Sequence, residues 1–370
     1  MKPHLLFRNR DFCPAWGMLP KYPQPTRWRD REYEEQWALL PHVLRMVTQD
    51  LELDILFKSM AQGDRYLYEV AKNVVLLSVP DTGTILYRQD ILRDCIRNTK
   101  VVREIYGICD ESIEGYFKEF TWYTGKSADS VRGTSIRALT LFIGKLVLLR
   151  KVAEDHGGTF ESEGFREFFA MLKRELTDEY IVSLNAILGE LSLPAGACIT
   201  AELGKGNKGT NYTLQRCREI PPQTWIARVL SIDPSAQYSF TIADRDTTGF
   251  RALAEMRGKS LNPVSRILHQ ATDHIFRFFT SLKIELAFYL GCVHLREELM
   301  RLGEPVCFPV PREPGNRTLT SKGLYDACMA LQKNQAIIGN DVNAEGKDLV
   351  LITGANRGGK STFLRSVGLA

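Results

Sequence analysis

The sequence predicts a mainly α protein with a small β insertion, in which a helical core and long lever-like helices lead into the beginning of an α/β domain. Three observations predict it. An apolar stripe at helical spacing runs from Val264 to Val293 without a proline. Between residues 195 and 245 the pattern changes to short β-rich runs around a loop of glycines and lysines. The last stretch, Asp348 to Arg365, reads as an apolar run, a glycine loop and an amphipathic helix, in that order.

Composition sets the outer limits. The 370 residues suffice for two or three domains. With 44% hydrophobic and 25% charged residues, wholesale disorder is excluded. A net charge of +4 does not by itself imply a nucleic-acid partner, so any such surface must come from local clusters. The eight cysteines are scattered without a C-x-x-C pair, and the six histidines lack metal-ligand spacing. Buried, reduced thiols are the expectation. Arg8, Arg10 and Asp11 interrupt any apolar run at the N-terminus, which argues against a signal peptide. The apolar stretch Ala138 to Val152 carries Lys145, Arg150 and Lys151 and is too short to span a bilayer. A cytoplasmic protein with no membrane partner is expected.

In chain order, residues 1–49 read as an irregular arm, punctuated by Pro14, Pro20, Pro23 and Pro25. Trp16, Trp28 and Trp37 are interleaved there with Arg27, Arg29 and Arg31, a pattern that fits either a DNA-contacting arm or a tail packed over a neighbouring groove. Residues 50–129 form a helical core. Tyr66 to Leu77 carries Leu67, Val70, Ala71, Val74 and Val75 on one side, and Thr84 to Arg97 follows after Pro80 and Gly83. Residues 130–194 form two outgoing lever helices broken at Gly157-Gly158. Residues 195–250 form the β insertion, with strands at Cys198–Leu203, Tyr212–Arg216 and Ser239–Ala243. Within Gly204–Asn211, Lys205 and Lys208 either contact a phosphate backbone or are solvated residues of a hairpin connection. Residues 251–305 form the returning lever; within them residues 263–302 read as one helix of forty residues, about 60 Å long, with Pro263 acceptable at its start. Residues 306–370 begin in the cluster Pro305, Pro309, Pro311 and Pro314 and end in the glycine loop.

That loop carries the chemistry. Gly354 to Ser361 fits G-x-x-x-x-G-K-[ST], the P-loop, between an apolar run suited to a buried parallel strand and a helix. The backbone from Gly354 through Ala355, Asn356, Arg357, Gly358 and Gly359 would surround phosphate oxygens with N–H groups. The helix start, including Thr362, adds the positive end of its dipole. Lys360 would reach the β- and γ-phosphates, and Ser361 would ligate Mg²⁺.

The string Thr353-Gly-Ala-Asn-Arg-Gly-Gly-Lys-Ser-Thr-Phe-Leu-Arg365 closely resembles the P-loop of the MutS family of DNA mismatch-repair ATPases, T-G-P-N-M-G-G-K-S-T-x-L-R. Ala355 stands where that family has proline and Arg357 where it has methionine. Tyr87 to Asp94 resembles the start of the family's helical core, and Gly323–Asp326 and Gly339–Val342 resemble segments that lead into its P-loop. The resemblance implies an ATP-dependent DNA-binding protein of repair or recombination, with ATP and Mg²⁺ as cofactors, double-stranded DNA as partner and a homodimer in the full-length form. It also implies absences. Too little chain precedes the core to hold the mismatch-reading domain, and Phe165-Arg-Glu167 has that domain's Phe-x-Glu letters only by coincidence, within a lever helix. The sequence ends at Ala370, before the family's Walker B carboxylate and catalytic histidine, so no catalytic residue is assigned. The expectation is an incomplete P-loop ATPase domain: residues 306–370 least stable, Leu349–Thr353 exposed, ATP bound weakly if at all and not hydrolysed. The alternative is a structural module that dimerises or binds DNA without nucleotide turnover.

Overall fold

A computed structural model describes residues 1–8, 42–77, 79, 81–121, 127–193, 198–205, 209–215, 247–313, 315 and 317–370. The first helices are α1 (His42–Asp50), α2 (Leu53–Ala61), α3 (Arg65–Val75), α4 (Thr82–Arg97) and α5 (Thr99–Thr121). Next come α6 (Ala128–His156), α7 (Glu163–Glu175) and α8 (Asp178–Leu191). Strands β1 (Cys198–Leu203) and β2 (Gly209–Gln215) precede the longest helix, α9 (Thr247–Arg301). The chain closes with β3 (Thr320–Leu324), α10 (Ala327–Lys333), β4 (Asn340–Asn343) and α11 (Lys360–Leu369). The caps explain several boundaries. The Asp64 carboxylate accepts the Tyr66 N–H at 2.7 Å and so starts α3. Asp81 accepts the Thr84 N–H at 2.6 Å and starts α4. Gln62 and Asn334, both left-handed, end α2 and α10.

The chain divides into two compact units, with boundaries inside α5, α6 and α9 and after α7. The first comprises Met1–Glu114, Lys145–Leu176 and Arg277–Ala370. Its core includes Phe57, Ile91, Phe165, Phe168, Phe279 and Tyr289, all essentially inaccessible to solvent. The N-terminal residues are built into it: Leu5, Leu6 and Phe7 are buried. The backbone there is held by side chains, since Tyr87 Oη donates to the His4 carbonyl at 2.8 Å and Tyr289 Oη to the Leu5 carbonyl at 2.6 Å. Buried Asp94 of α4 accepts the N–H groups of Glu161 (3.0 Å) and Ser162 (2.7 Å) and so caps α7 from a distant part of the chain. Lys283 is buried, paired with Asp110 and 4.2 Å from the centre of the Tyr66 ring. Burial pulls its ammonium down to about 7.

The second unit comprises Gly115–Gly144 and Thr177–Phe276. Leu139 and Ile143 of α6, Leu188 of α8 and Leu268 of α9 form its core, with Ile136, Leu184 and Ile275 packed against them. Ser265 Oγ donates to the Ala128 carbonyl at 2.6 Å, tying α9 to the start of α6. Strands β1 and β2 pair antiparallel, Cys198 opposite Gln215, with a register shift between Thr200 and Glu202.

Four expectations need correction. Helix α9 begins at Thr247, so Pro263 lies inside it rather than at its start; proline removes only one backbone donor, and buried Leu261 and Leu268 hold the turns on either side. The second lever segment is two helices, because Thr177 accepts the Tyr180 N–H and starts α8 afresh. Residues 42–49, read as part of the irregular arm, are helical. Leu349–Thr353, suited in sequence to a parallel strand, forms none, since β3 and β4 pair antiparallel with one another; its exposure is as expected, Leu349 and Leu351 being 74% and 78% exposed. A strand needs a neighbour to satisfy its backbone, and among the described residues none lies beside this run. Ser239–Ala243 lies outside the described residues. The stretch Glu255–Arg301 is long and apolar enough to cross a bilayer, but 67% of its most apolar window is buried within the protein, as in a packed core helix.

Candidate nucleotide-binding site

The residues from Gly354 to Thr362 form a continuous turn into α11. Three of them have left-handed or related backbone, Gly354 (φ 152°), Arg357 (φ 66°) and Gly359 (φ 80°), so the loop curls rather than extends. Gly358 is close-packed: a Cβ there would sit 2.9 Å from the Ala355 carbonyl oxygen, which accepts the Gly358 N–H at 3.1 Å. Gly359 is the N-cap of α11, and the first helical hydrogen bond runs from the Phe363 N–H to the Gly359 carbonyl at 2.9 Å. The N–H groups of Lys360, Ser361 and Thr362 therefore precede the helical ladder and are available to an anion. Lys360 Nζ turns back over the loop and donates to the carbonyls of Gly354 (2.7 Å) and Ala355 (2.6 Å). Lys360 and Arg357 are the charged residues between Gly354 and Thr362, and both are basic. Curled backbone, leading N–H groups, positive charge and a hydroxyl at Ser361 fit a phosphate group with its Mg²⁺.

Three residues that sequence reasoning did not single out hold this loop in place. Arg365, one helical turn beyond Ser361, is 16% exposed. Its Nε donates to Asp326 Oδ2 at 2.6 Å, and its guanidinium also pairs with Glu52. The Asp326 side chain is fully buried and accepts the Met329 N–H at 2.9 Å, capping α10. Burial acts to lower the Arg365 pKa, but the hydrogen bond and charge of Asp326, then Glu52, outweigh it and the net direction is upward. Burial, followed by the Asp326 charge, pushes the neighbouring Cys328 thiol up to about 12. An aspartate just before the helical run from Ala327 was a readable N-cap signal; nothing local marks Glu52 as its partner across the fold.

Lys205 is exposed between β1 and β2, in the second unit. Lys208, Arg27, Arg29 and Arg31 lie outside the described residues.

Long continuous helices, a two-stranded insertion and a glycine loop closed by lysine make up the described chain, and comparison with known proteins places it in the MutS-related class. Residues 80–302, more than half of the chain, match the family described as MutS2 N-terminal domain, and the chain belongs to that family. The glycine loop lies beyond the matched residues. The chain is also 34% identical over 115 residues to the Drosophila melanogaster DNA mismatch repair protein spellchecker 1; the match covers 30% of this chain and 12% of that protein.

Proposed function

We propose that this chain is part of a MutS-like, ATP-dependent DNA-binding protein acting in DNA repair or recombination. The observation that carries the nucleotide half is the Gly354–Thr362 turn, where three N–H groups precede the helical ladder of α11 and Lys360 folds back over the loop. The backbone of Asn356–Gly359 would cradle phosphate oxygens, Lys360 would leave the Gly354 and Ala355 carbonyls to meet the β- and γ-phosphates, and Ser361 would hold Mg²⁺. Bound ATP would supply the free-energy difference between two states of the helical units. The DNA half rests on family membership and on the exposed Lys205; duplex DNA is the expected partner, and a homodimer the expected full-length assembly. A second reading is an interaction module without nucleotide turnover, in which Lys360 keeps its two hydrogen bonds to the loop's own carbonyls.

Equilibrium binding of Mg·ATP separates the two. Saturable binding that Lys360→Ala weakens at least tenfold supports the first reading. Salt-dependent duplex binding with no Lys360-dependent nucleotide binding supports the second. In the duplex titration, Lys205→Ala with Lys208→Ala should flatten the salt slope by about one unit per lost contact. An unchanged slope moves the DNA surface elsewhere.

A further inference from the structure

The helix behind the glycine loop is fastened to two other helices at one point. Arg365 places one guanidinium between two carboxylates, Asp326 on the N-terminus of α10 and Glu52 on the N-terminus of α2. Close packing reinforces the joint: Ser366 is buried, and a Cβ on Gly368 would sit 2.7 Å from Leu51 Cδ2. Arg365 and Ser361 are four residues apart, on one face of α11, so the fastened point lies a single turn below the leading N–H groups. A rigid turn of helix transmits displacement from one end to the other.

We propose that Arg365 is a positioning residue that latches α11 to α2 and α10, so that the loop and residues 51–61 move as one body and occupancy of the loop is felt in α2. The nucleotide part of this proposal rests on the reading of Gly354–Thr362 as a phosphate site; the latch itself does not. Arginine is the residue type the joint requires. A planar guanidinium serves both carboxylates at once, whereas a lysine ammonium is a single point charge.

The test compares the 370-residue wild type with the double variant Arg365→Gln/Asp326→Asn, followed by amide hydrogen exchange and Mg·ATP binding. The second substitution removes the buried charge that Arg365→Gln alone would strand, and asparagine still caps α10. Without nucleotide, exchange in both α11 and Leu53–Ala61 should quicken at least tenfold, while Ile91 and Phe165 keep their protection. Unchanged exchange in Leu53–Ala61 overturns the latch whether or not ATP binds. With Mg·ATP, the wild type should gain protection in α11 and in Leu53–Ala61 together, and the double variant in α11 alone, with binding weakened about tenfold. Joint protection persisting in the double variant also overturns the proposal, since a merely structural role would leave that coupling intact. Failure of the wild type to bind Mg·ATP removes the phosphate-site reading and the sensing role built on it, and leaves the nucleotide-free comparison to decide the latch.

Discussion

The interior around α4, α7 and the second half of α9 differs sharply from the run that leads into the glycine loop, although both are strongly apolar in sequence. In the first, Ile91, Phe165 and Phe279 are sealed from solvent. In the second, Leu349, Val350 and Leu351 are more than half exposed. The difference is one of backbone accounting. A helix satisfies its own N–H and C=O groups and needs only a neighbour for its apolar face, while a strand needs neighbours for both. The helices here supply one another with apolar faces. The run before the loop has no ladder among the described residues.

The contrast can be broken or sharpened by substitution. The largest effect should come from Phe165→Ala, which removes a ring packed 4.5 Å from Phe160 and 5.7 Å from Phe169. A loss of about 3–5 kcal/mol in chemical denaturation is expected; a loss below about 1 kcal/mol would falsify the picture of a sealed interior. A smaller effect should appear with pH at Lys283. Its folded pKa of about 7 lies below the ordinary lysine value, so the unfolded chain binds more protons in the window between them. The burial penalty is complete below pH 7 and is relieved as pH rises toward 10. Wild-type stability should therefore gain on that of Lys283→Met between pH 7 and 9.5, and parallel profiles for the two proteins would show that Lys283 does not titrate there. Asp81→Ala, which deletes the cap of α4, should cost about 1 kcal/mol, read as a shift in denaturation midpoint without a change in slope. Leu351→Ser should have the smallest effect, within about 0.5 kcal/mol, because its side chain is already in water. A marked destabilisation would mean that the run is covered in solution.

Much of the helical architecture was legible because its signals are local. The spacing of Leu67, Val70, Ala71 and Val74 marks α3, and the stripe from Val264 to Val293 marks most of α9. The glycines at 354 and 359 ask for positive φ, and both have it. What was not legible depends on residues far apart in sequence. Asp94 caps a helix that starts 69 residues later, and Arg365 meets Glu52 from the far end of the chain. No periodicity announces either. The apolar run at Leu349 was legible as strand material, but whether a strand is buried is decided by its neighbours.

Pro263 has a mechanical consequence. Helix α9 is a rod of 55 residues, about 80 Å long, and every turn of it is stiffened by hydrogen bonds parallel to its axis. Proline has no N–H to give to the Lys259 carbonyl, so one strut is missing sixteen residues from the start. A beam loaded in bending yields at its notch, and this notch opens on the solvent side of the helix: Pro263 is exposed, while Ser260, Leu261 and Ser265 nearby are buried. Compliance in the rod is thus concentrated at one address, where Pro263→Ala would replace the strut and spread the bending over the whole length.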